Sequence, residues 1–332
     1  MANSDQILSD SRWLPHALDP ATGAITFIKL ERERLSASRF LADVGGEEGR
    51  DVASVPLAEM AQAQIAQGPL HFIFHTAFCR STLLARALEQ PGISAGLSEP
   101  GIIASLVNAG PQAKPAIAPV MALLSRSWSE GEAVFVKPTN HANAIAPALM
   151  EAVPGAKAVV MTNPLPAFLA AVVRKGMLGR RWARQLYLEM MGYAGMDLGM
   201  DGREQFSMTD LQAGALAWFL NQRFMHGMAS RFGDRVRTLD GDRFGEEPAE
   251  TLAAIGAFTG VPITQQKAEA IASGPVFASD AKTGEDYATK AARDAKATSS
   301  AVVEDEIAKL EEWIAMIAGQ AGLTVPIKQT LF

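Results

Sequence analysis

The chain has 332 residues, 48% of them hydrophobic and 20% charged, with a single cysteine and a formal net charge of −6. These values exclude a disulfide-stapled miniprotein and a disordered chain. They also argue against general duplex-DNA binding, while leaving room for a local anion pocket.

The N-terminal stretch MANSDQILSDSRWLPHALDP is polar and lacks a signal-peptide core, and no apolar run approaches the ~20 residues of a membrane span. The resulting expectation is a cytoplasmic protein with neither a nucleic-acid nor a membrane partner. The five histidines are scattered and Cys79 has no ligand cluster around it, so no metal is expected.

Residues 1–67 read as an N-terminal extension packed on a main domain of residues 68–332. Within the extension, AITFIKLER alternates as a strand, and LAEMAQAQIAQG reads as a helix stopped by Gly68. An alternation of short apolar strands and helices follows. LHFIFHT, GISAGLSEP, AVFVKPTN and AKAVVMTNP read as strands, each followed by a helical run. Residues 210–232 form a long helix, DRVRTLDGD a fifth strand, and EEPAETLAAIGAFTG a further helix. Residues 278–305 are polar and poor in large apolar groups, which suits a mobile surface segment, and DEIAKLEEWIAMIAGQAG closes the chain as a helix. Alternating strands and helices predict a parallel sheet covered on both faces, a three-layer α/β/α fold. Ligands on such sheets bind beyond the carboxyl ends of the strands, so the loops after Phe74, Leu97, Val136 and Met161 should converge.

The first of these loops has the layout of a phosphate cradle, a strand, a short turn and a helix opened by Ser81-Thr82. A helix start offers unpaired N–H groups and a positive dipole end. Against the Walker pattern G-x-x-x-x-G-K-[ST], with Thr82 at the last position, His75 and Arg80 stand where the glycines belong and Ser81 replaces the lysine. Each residue also has a plain structural role: Phe78 as core, Cys79 as a small buried residue, His75 as a hydrogen-bonded strand end, and Ser81 as a helix cap.

FCRSTLL, 78–84, resembles the phosphate loop of the P-loop sulfotransferase family, which reads R-S-G-T-T-L-L and lacks a Walker lysine. Ser81, Thr82, Leu83 and Leu84 match in type. Phe78 replaces the family's cation and Arg80 its glycine. The resemblance spans about residues 69–262. It implies a P-loop nucleoside triphosphate hydrolase-like fold of sulfotransferase type, and a donor, 3′-phosphoadenosine 5′-phosphosulfate, held by His75, Thr76, Ala77, Phe78, Cys79, Arg80, Ser81 and Thr82. It also implies Glu99 in SEP as a general base, Lys137 as a cation facing the transferred group, and His141 as a second candidate base. VRTLDGDRFGEEPAETLAAIGAFTGVPI, 236–263, matches the family's later strand, capped helix and Gly stop.

One departure from the family matters. Relatives carry R-D-P on the fourth strand with a Ser eight residues after the Arg, and these hold the 3′-phosphate. This chain has TNP, 162–164, and Ala170. Asn163, Arg174 and the five cations of RKGMLGRRWAR are the remaining candidates for that charge. Six methionines between 177 and 208 suggest an apolar wall for a small-molecule acceptor. Three readings stand open: a sulfuryl transferase without metal, a P-loop kinase with ATP and Mg²⁺ whose carboxylates would be Asp240 and Asp242, and a binding or scaffold protein of the same fold. Lys282 is a further cation that some relatives would bring to the site from late in the chain.

Overall fold

The computed structural model describes residues 3–46, 51–60, 63, 65–278 and 300–332. Lys282 and most of the polar 278–305 stretch lie outside the described residues.

In chain order the elements are α1 (Ser4–Ser9), β1 (Trp13–Asp19), β2 (Ala24–Lys29), α2 (Arg32–Ala37), β3 (Val52–Pro56), α3 (Leu57–Met60), β4 (Leu70–His75), α4 (Ser81–Ala87), β5 (Ser94–Ser98), α5 (Gly101–Ala109) and α6 (Lys114–Leu124). There follow β6 (Ala133–Lys137), a 3-10 turn (Asn140–Ile145), α7 (Ala146–Ala152), β7 (Ala158–Thr162), α8 (Leu165–Arg174), α9 (Gly176–Tyr193), α10 (Gly202–Ser207) and α11 (Asp210–Phe232). The chain continues through β8 (Val236–Asp240), α12 (Gly241–Glu246), α13 (Pro248–Thr259), α14 (Gln265–Ala272) and α15 (Ala301–Gln320).

Strands β4 to β8 form one parallel sheet in the order β5-β6-β4-β7-β8, with β4 at the centre. Every residue of β4, β6 and β7 is buried. This explains why their sequences are continuous apolar runs rather than alternating ones. Successive side chains point to opposite faces. Phe72, Phe74, Val134, Val136 and Val160 enter one core with α5, α6 and α7, while Ile73, Phe135, Val159 and Met161 enter another with α4, α13 and α14. A third cluster joins α8, α9, α11 and α15. The architecture is the three-layer α/β/α arrangement with a central parallel sheet that the strand-helix alternation predicts.

The N-terminal residues hold more strand than the sequence indicates. β1, β2 and β3 make an antiparallel sheet, with a register shift between Pro15 and Ala17. Its apolar side chains, Leu14, Ile25, Phe27 and Val55, share a core with Leu70 and Phe72 of β4. The buried Arg126 ties the two together, donating to the carbonyls of Ile7 (2.8 Å), Leu8 (3.0 Å), Asp10 (3.0 Å) and Trp13. Burial pushes its guanidinium pKa down to about 10. Arg32 bridges Glu89 at 2.5 Å and the fully buried Glu132 at 2.8 Å.

Two boundary expectations are corrected. The helix expected over 57–68 ends at Met60, and residues 65–69 are not helical. Gly68 therefore stops no helix. It lets the chain pass Ser127, whose Oγ would lie 2.3 Å from a Cβ at 68, and its N–H donates to the Ser125 carbonyl at 2.8 Å. The closing helix starts at Ala301, inside the stretch expected to be loose; its first turn is exposed, Val302 by 76%, and the helix packs further along through Leu310, Ile314 and Ala318.

Candidate functional site

Four parallel strands end side by side at one rim of the sheet: β5 at Ser98, β6 at Lys137, β4 at His75 and β7 at Thr162. Neighbouring strands are ~4.8 Å apart, so the residues just beyond these ends fall within about 15 Å of each other. The four loops expected to converge do so.

The loop from β4 to α4 is held at its base by His75. The ring Nδ1 accepts the Ala77 N–H at 3.2 Å, which puts the ring proton on Nε2, 3.1 Å from the Pro138 carbonyl. The His75 carbonyl accepts from the side-chain amides of Asn140 (2.7 Å) and Asn143 (3.0 Å). The Thr76 N–H donates to Met161 at 3.0 Å, and the buried Cys79 thiol lies 3.4 Å from the same carbonyl. His75 and Cys79 thus fasten the loop to β6 and β7.

The backbone of this loop is unusual. Ala77, Phe78 and Arg80 have φ of +70°, +57° and +62°, and Glu99 across the rim has +51°. Among the described residues these are the non-glycine residues with positive φ, and all four stand at the rim. Left-handed backbone costs a residue with a Cβ roughly 1–2 kcal/mol. Such strain clusters where a ligand site requires it. Left-handed residues interspersed in a turn also aim successive N–H groups into one concavity, the nest geometry that binds anions. The loop keeps glycine-like turns without glycines.

Its side chains go three ways. The Phe78 ring packs 4.9 Å from Trp182 and 5.7 Å from Phe168, with the Lys175 ammonium 5.6 Å from its centroid. The half-exposed Arg80 places Nη2 3.3 Å from Asp242 Oδ1. Its charge, expected to help hold an anion, is shared with that carboxylate. Gly241 makes the approach of α12 possible, since a Cβ there would lie 2.5 Å from the Cys79 carbonyl oxygen. Thr76 and Thr82 are buried, and neither Oγ1 has a hydrogen-bond partner.

Lys137 is 1% exposed, and its ammonium meets the Glu99 carboxylate. The Glu99 N–H donates to the Lys137 carbonyl at 2.7 Å, which fixes the two residues face to face. Phe40 lies over the ammonium at 5.8 Å, and the Ala42 N–H donates to the Glu99 carbonyl at 3.0 Å, so the N-terminal segment covers this end of the rim. His141 stands four residues past Lys137 in the 3-10 turn, half exposed, its Nδ1 3.4 Å from Glu189 of α9. Asn163 follows β7. Its carbonyl accepts from the Trp218 indole at 2.9 Å, and its buried Oδ1 has no partner. Arg174 ends α8 at the exposed surface, next to the Lys175 that reaches Phe78.

Unpartnered buried polar atoms gather here. Besides Thr76, Thr82 and Asn163, they include Ser98 Oγ, Asn143 Oδ1 and Asn221 Nδ2, and others are carried by His71, Tyr187, Gln222 and Thr251. Native proteins hold few such atoms, so a concentration at one rim marks a place where polar partners are expected. Asn143 links this group to the loop, donating to His75 and, at 3.4 Å, to Asn221 Oδ1.

The sequence reading did not single out Ser98, Asn143, Asn221, Gln222, Glu189 or Phe40. A signal was available for one pair: Asn221-Gln222 end the apolar run ALAWFL, 215–220, yet stay buried in the helix. The carboxylates weighed for a kinase are engaged otherwise. Asp240 Oδ1 caps α12, accepting from the N–H of Asp242 (2.7 Å) and Arg243 (3.1 Å), and Asp242 faces Arg80.

The class these features define is an α/β/α protein with a strained, polar-lined rim at the carboxyl ends of its parallel strands. No family model matches the chain, and no curated protein matches it. Among solved structures it is similar to a sulfotransferase domain from the curacin biosynthetic pathway, at 12% identity and a TM-score of 0.43, over 79% of this chain and 100% of that one.

Proposed function

We propose that the rim binds a phosphoadenosine-type sulfuryl donor, 3′-phosphoadenosine 5′-phosphosulfate or a close analogue, and that the protein transfers the sulfuryl group to a hydroxyl or amine of a small molecule. The observation that carries this reading is the loop 77–80, left-handed at Ala77, Phe78 and Arg80 and flanked by two buried, partnerless hydroxyls, Thr76 and Thr82. An anion with several acceptor oxygens would satisfy the orphaned donors and offset the cost of the left-handed backbone.

The donor supplies an activated sulfur whose bond to the bridging phosphate oxygen breaks as the acceptor attacks. The chain's residues do the rest by position and charge. Loop N–H groups and the hydroxyls of Thr76, Ser81 and Thr82 hold the 5′-phosphate. Lys137 sits one strand away and offsets the charge that gathers on the leaving oxygen. Its pairing with Glu99 keeps the ammonium oriented until the donor arrives. His141, steadied by Glu189, accepts the acceptor's proton, with Glu99 as the other base within reach of the rim. Asn163, and Arg174 at the far end of α8, would receive the second phosphate in place of the Arg and Ser of the resembling family. The partly exposed rings of Phe78 and Trp182, backed by the buried Phe168, give an apolar acceptor a surface.

One observation favours a second reading, binding without turnover: two of the cations at the rim already face carboxylates, Lys137 with Glu99 and Arg80 with Asp242.

The test is thermal stabilisation by adenosine 3′,5′-bisphosphate, ATP with Mg²⁺ and free sulfate, followed by a sulfuryl-transfer assay with phenolic and amine acceptors. Stabilisation by the bisphosphate with transfer supports the first reading. Stabilisation without transfer supports the second. Stabilisation by ATP with Mg²⁺ alone, or by none of the three, refutes both.

A further inference from the structure

The α8–α9 corner carries a feature that the chemistry above does not use. Met177 and Leu178 stand 85% and 79% exposed at the first turn of α9, far more than side chains of their kind need be. They lie between cations in the run RKGMLGRR, with Lys175 and Arg181 exposed and Arg180 half-buried. Gly176 turns the chain at φ +58°, so the aliphatic pair projects as a convex tip.

The same surface continues along α9. Residues 177, 181 and 188 fall about one and three turns apart, on one stripe of the helix. Leu188 on that stripe is 63% exposed. Arg184 fastens the neighbouring segment, holding Asp210 at 2.5 Å and the Met208 carbonyl. Just before Met208, α10 presents Phe206, 87% exposed, together with the exposed Arg203. The α8–α9 corner thus joins exposed apolar tips to cations in a chain whose total charge is −6, while on α10 the exposed Arg203 stands with the acids Asp201 and Glu204.

We propose that this face docks the protein on an anionic lipid surface. The charges are complementary: lysine and arginine meet headgroup phosphates, while Met177, Leu178 and Phe206 enter the boundary between headgroups and acyl chains. A convex tip suits insertion into a fluid boundary and has no groove for a folded partner. The net negative charge of the remainder repels the rest of the molecule from such a membrane, which selects this one orientation. Among the described residues no helix is long and apolar enough to cross a bilayer, so the contact is peripheral. A docking face of this kind needs no spanning segment, so it is compatible with a sequence that lacks a long apolar run. Lys175 touches the Phe78 ring, so docking brings the candidate acceptor wall next to the lipid. This inference stands on α9 and α10 and does not depend on the proposed transfer chemistry.

The experiment is co-sedimentation of the full chain with vesicles of phosphatidylcholine alone and of phosphatidylcholine mixed with phosphatidylglycerol. The protein is expected to pellet with the mixed vesicles and to be released as ionic strength rises. Met177→Ser with Leu178→Ser, and separately Arg180→Glu with Arg181→Glu, should each weaken vesicle binding about tenfold or more, with unchanged circular dichroism. Met177→Cys carrying an environment-sensitive fluorophore should brighten and shift to the blue only with the anionic vesicles. Equal pelleting with both lipids, or full binding by the variants, overturns the proposal. So does a labelled residue 177 that stays in water, or self-association removed by the serine pair in a protein that ignores vesicles.

Discussion

Arg80 offers the most discriminating perturbation of the loop. Its φ of +62° and ψ of +16° place it in left-handed backbone at the entrance of α4. Two variants, Arg80→Ala and Arg80→Gly, remove the same side chain and the same exposed ion pair with Asp242, worth ~0–1 kcal/mol in either case. They differ only in backbone freedom. Glycine relieves a left-handed penalty of roughly 1–2 kcal/mol and gives back about 0.4–1 kcal/mol through its more flexible unfolded chain. The glycine variant should therefore be the more stable of the two by about 0.5–1 kcal/mol, a rise in melting temperature of about 1–3 °C for a chain of this size. Urea unfolding and calorimetry on the pair measure this directly. In ordinary right-handed backbone the order reverses, and glycine is the worse residue by roughly 0.5–1 kcal/mol. An alanine variant more stable than the glycine variant refutes the left-handed cradle and the nest argued from it.

Two further outcomes concern stability. His71 is buried at the foot of β4, its Nδ1 accepting from the Lys157 N–H at 3.2 Å, and burial, aided by the nearby Lys157 charge, pushes its pKa down to about 4. Below pH 6.5 the unfolded chain takes up a proton that the folded one refuses until about pH 4, so stability falls with pH across that window by up to about 3 kcal/mol. His71→Gln should flatten this slope in denaturant titrations at several pH values, and an unchanged slope would assign the acid sensitivity elsewhere. Thr82→Val replaces a buried hydroxyl that has no partner with a methyl of similar volume. The ligand-free variant should unfold at the same or higher denaturant concentration than the parent, and a clear loss of stability would show the hydroxyl to be structurally engaged.

Much of the fold was legible because the three central strands of the parallel sheet, β4, β6 and β7, are short, mostly apolar runs bounded by turn residues. Leu70–His75 and Ala158–Thr162 could scarcely be anything else at that length. The N-terminal sheet was harder to read. Pro15 and His16 interrupt the alternation of β1, and the structure answers with a register shift at that place. Gly68 looked like a helix stop, but it serves a close approach to Ser127, a contact that no local pattern encodes.

The site was legible in part. Residue types placed Lys137, Glu99 and the 75–82 loop at one rim, since parallel topology alone brings strand ends together. What the sequence concealed was conformation and counter-charge. Missing glycines argued against a cradle, yet Ala77, Phe78 and Arg80 adopt the glycine-like backbone. Packing against Gly241 and the fastening by His75 hold a conformation that local propensity opposes. The pairing of Arg80 with Asp242 joins residues 162 positions apart, and only the order of strands in the sheet makes them neighbours.

The central claim is that the orphaned hydroxyls of the loop exist for a phosphate. Calorimetric titration of adenosine 3′,5′-bisphosphate into the parent protein and into Thr82→Val tests it most directly. A hydrogen bond to a charged group contributes ~1.5–3 kcal/mol, so the parent should bind and the valine variant should bind about 10- to 100-fold more weakly while remaining fully folded. Equal affinity in the two proteins, or no binding heat in the parent, would contradict the account.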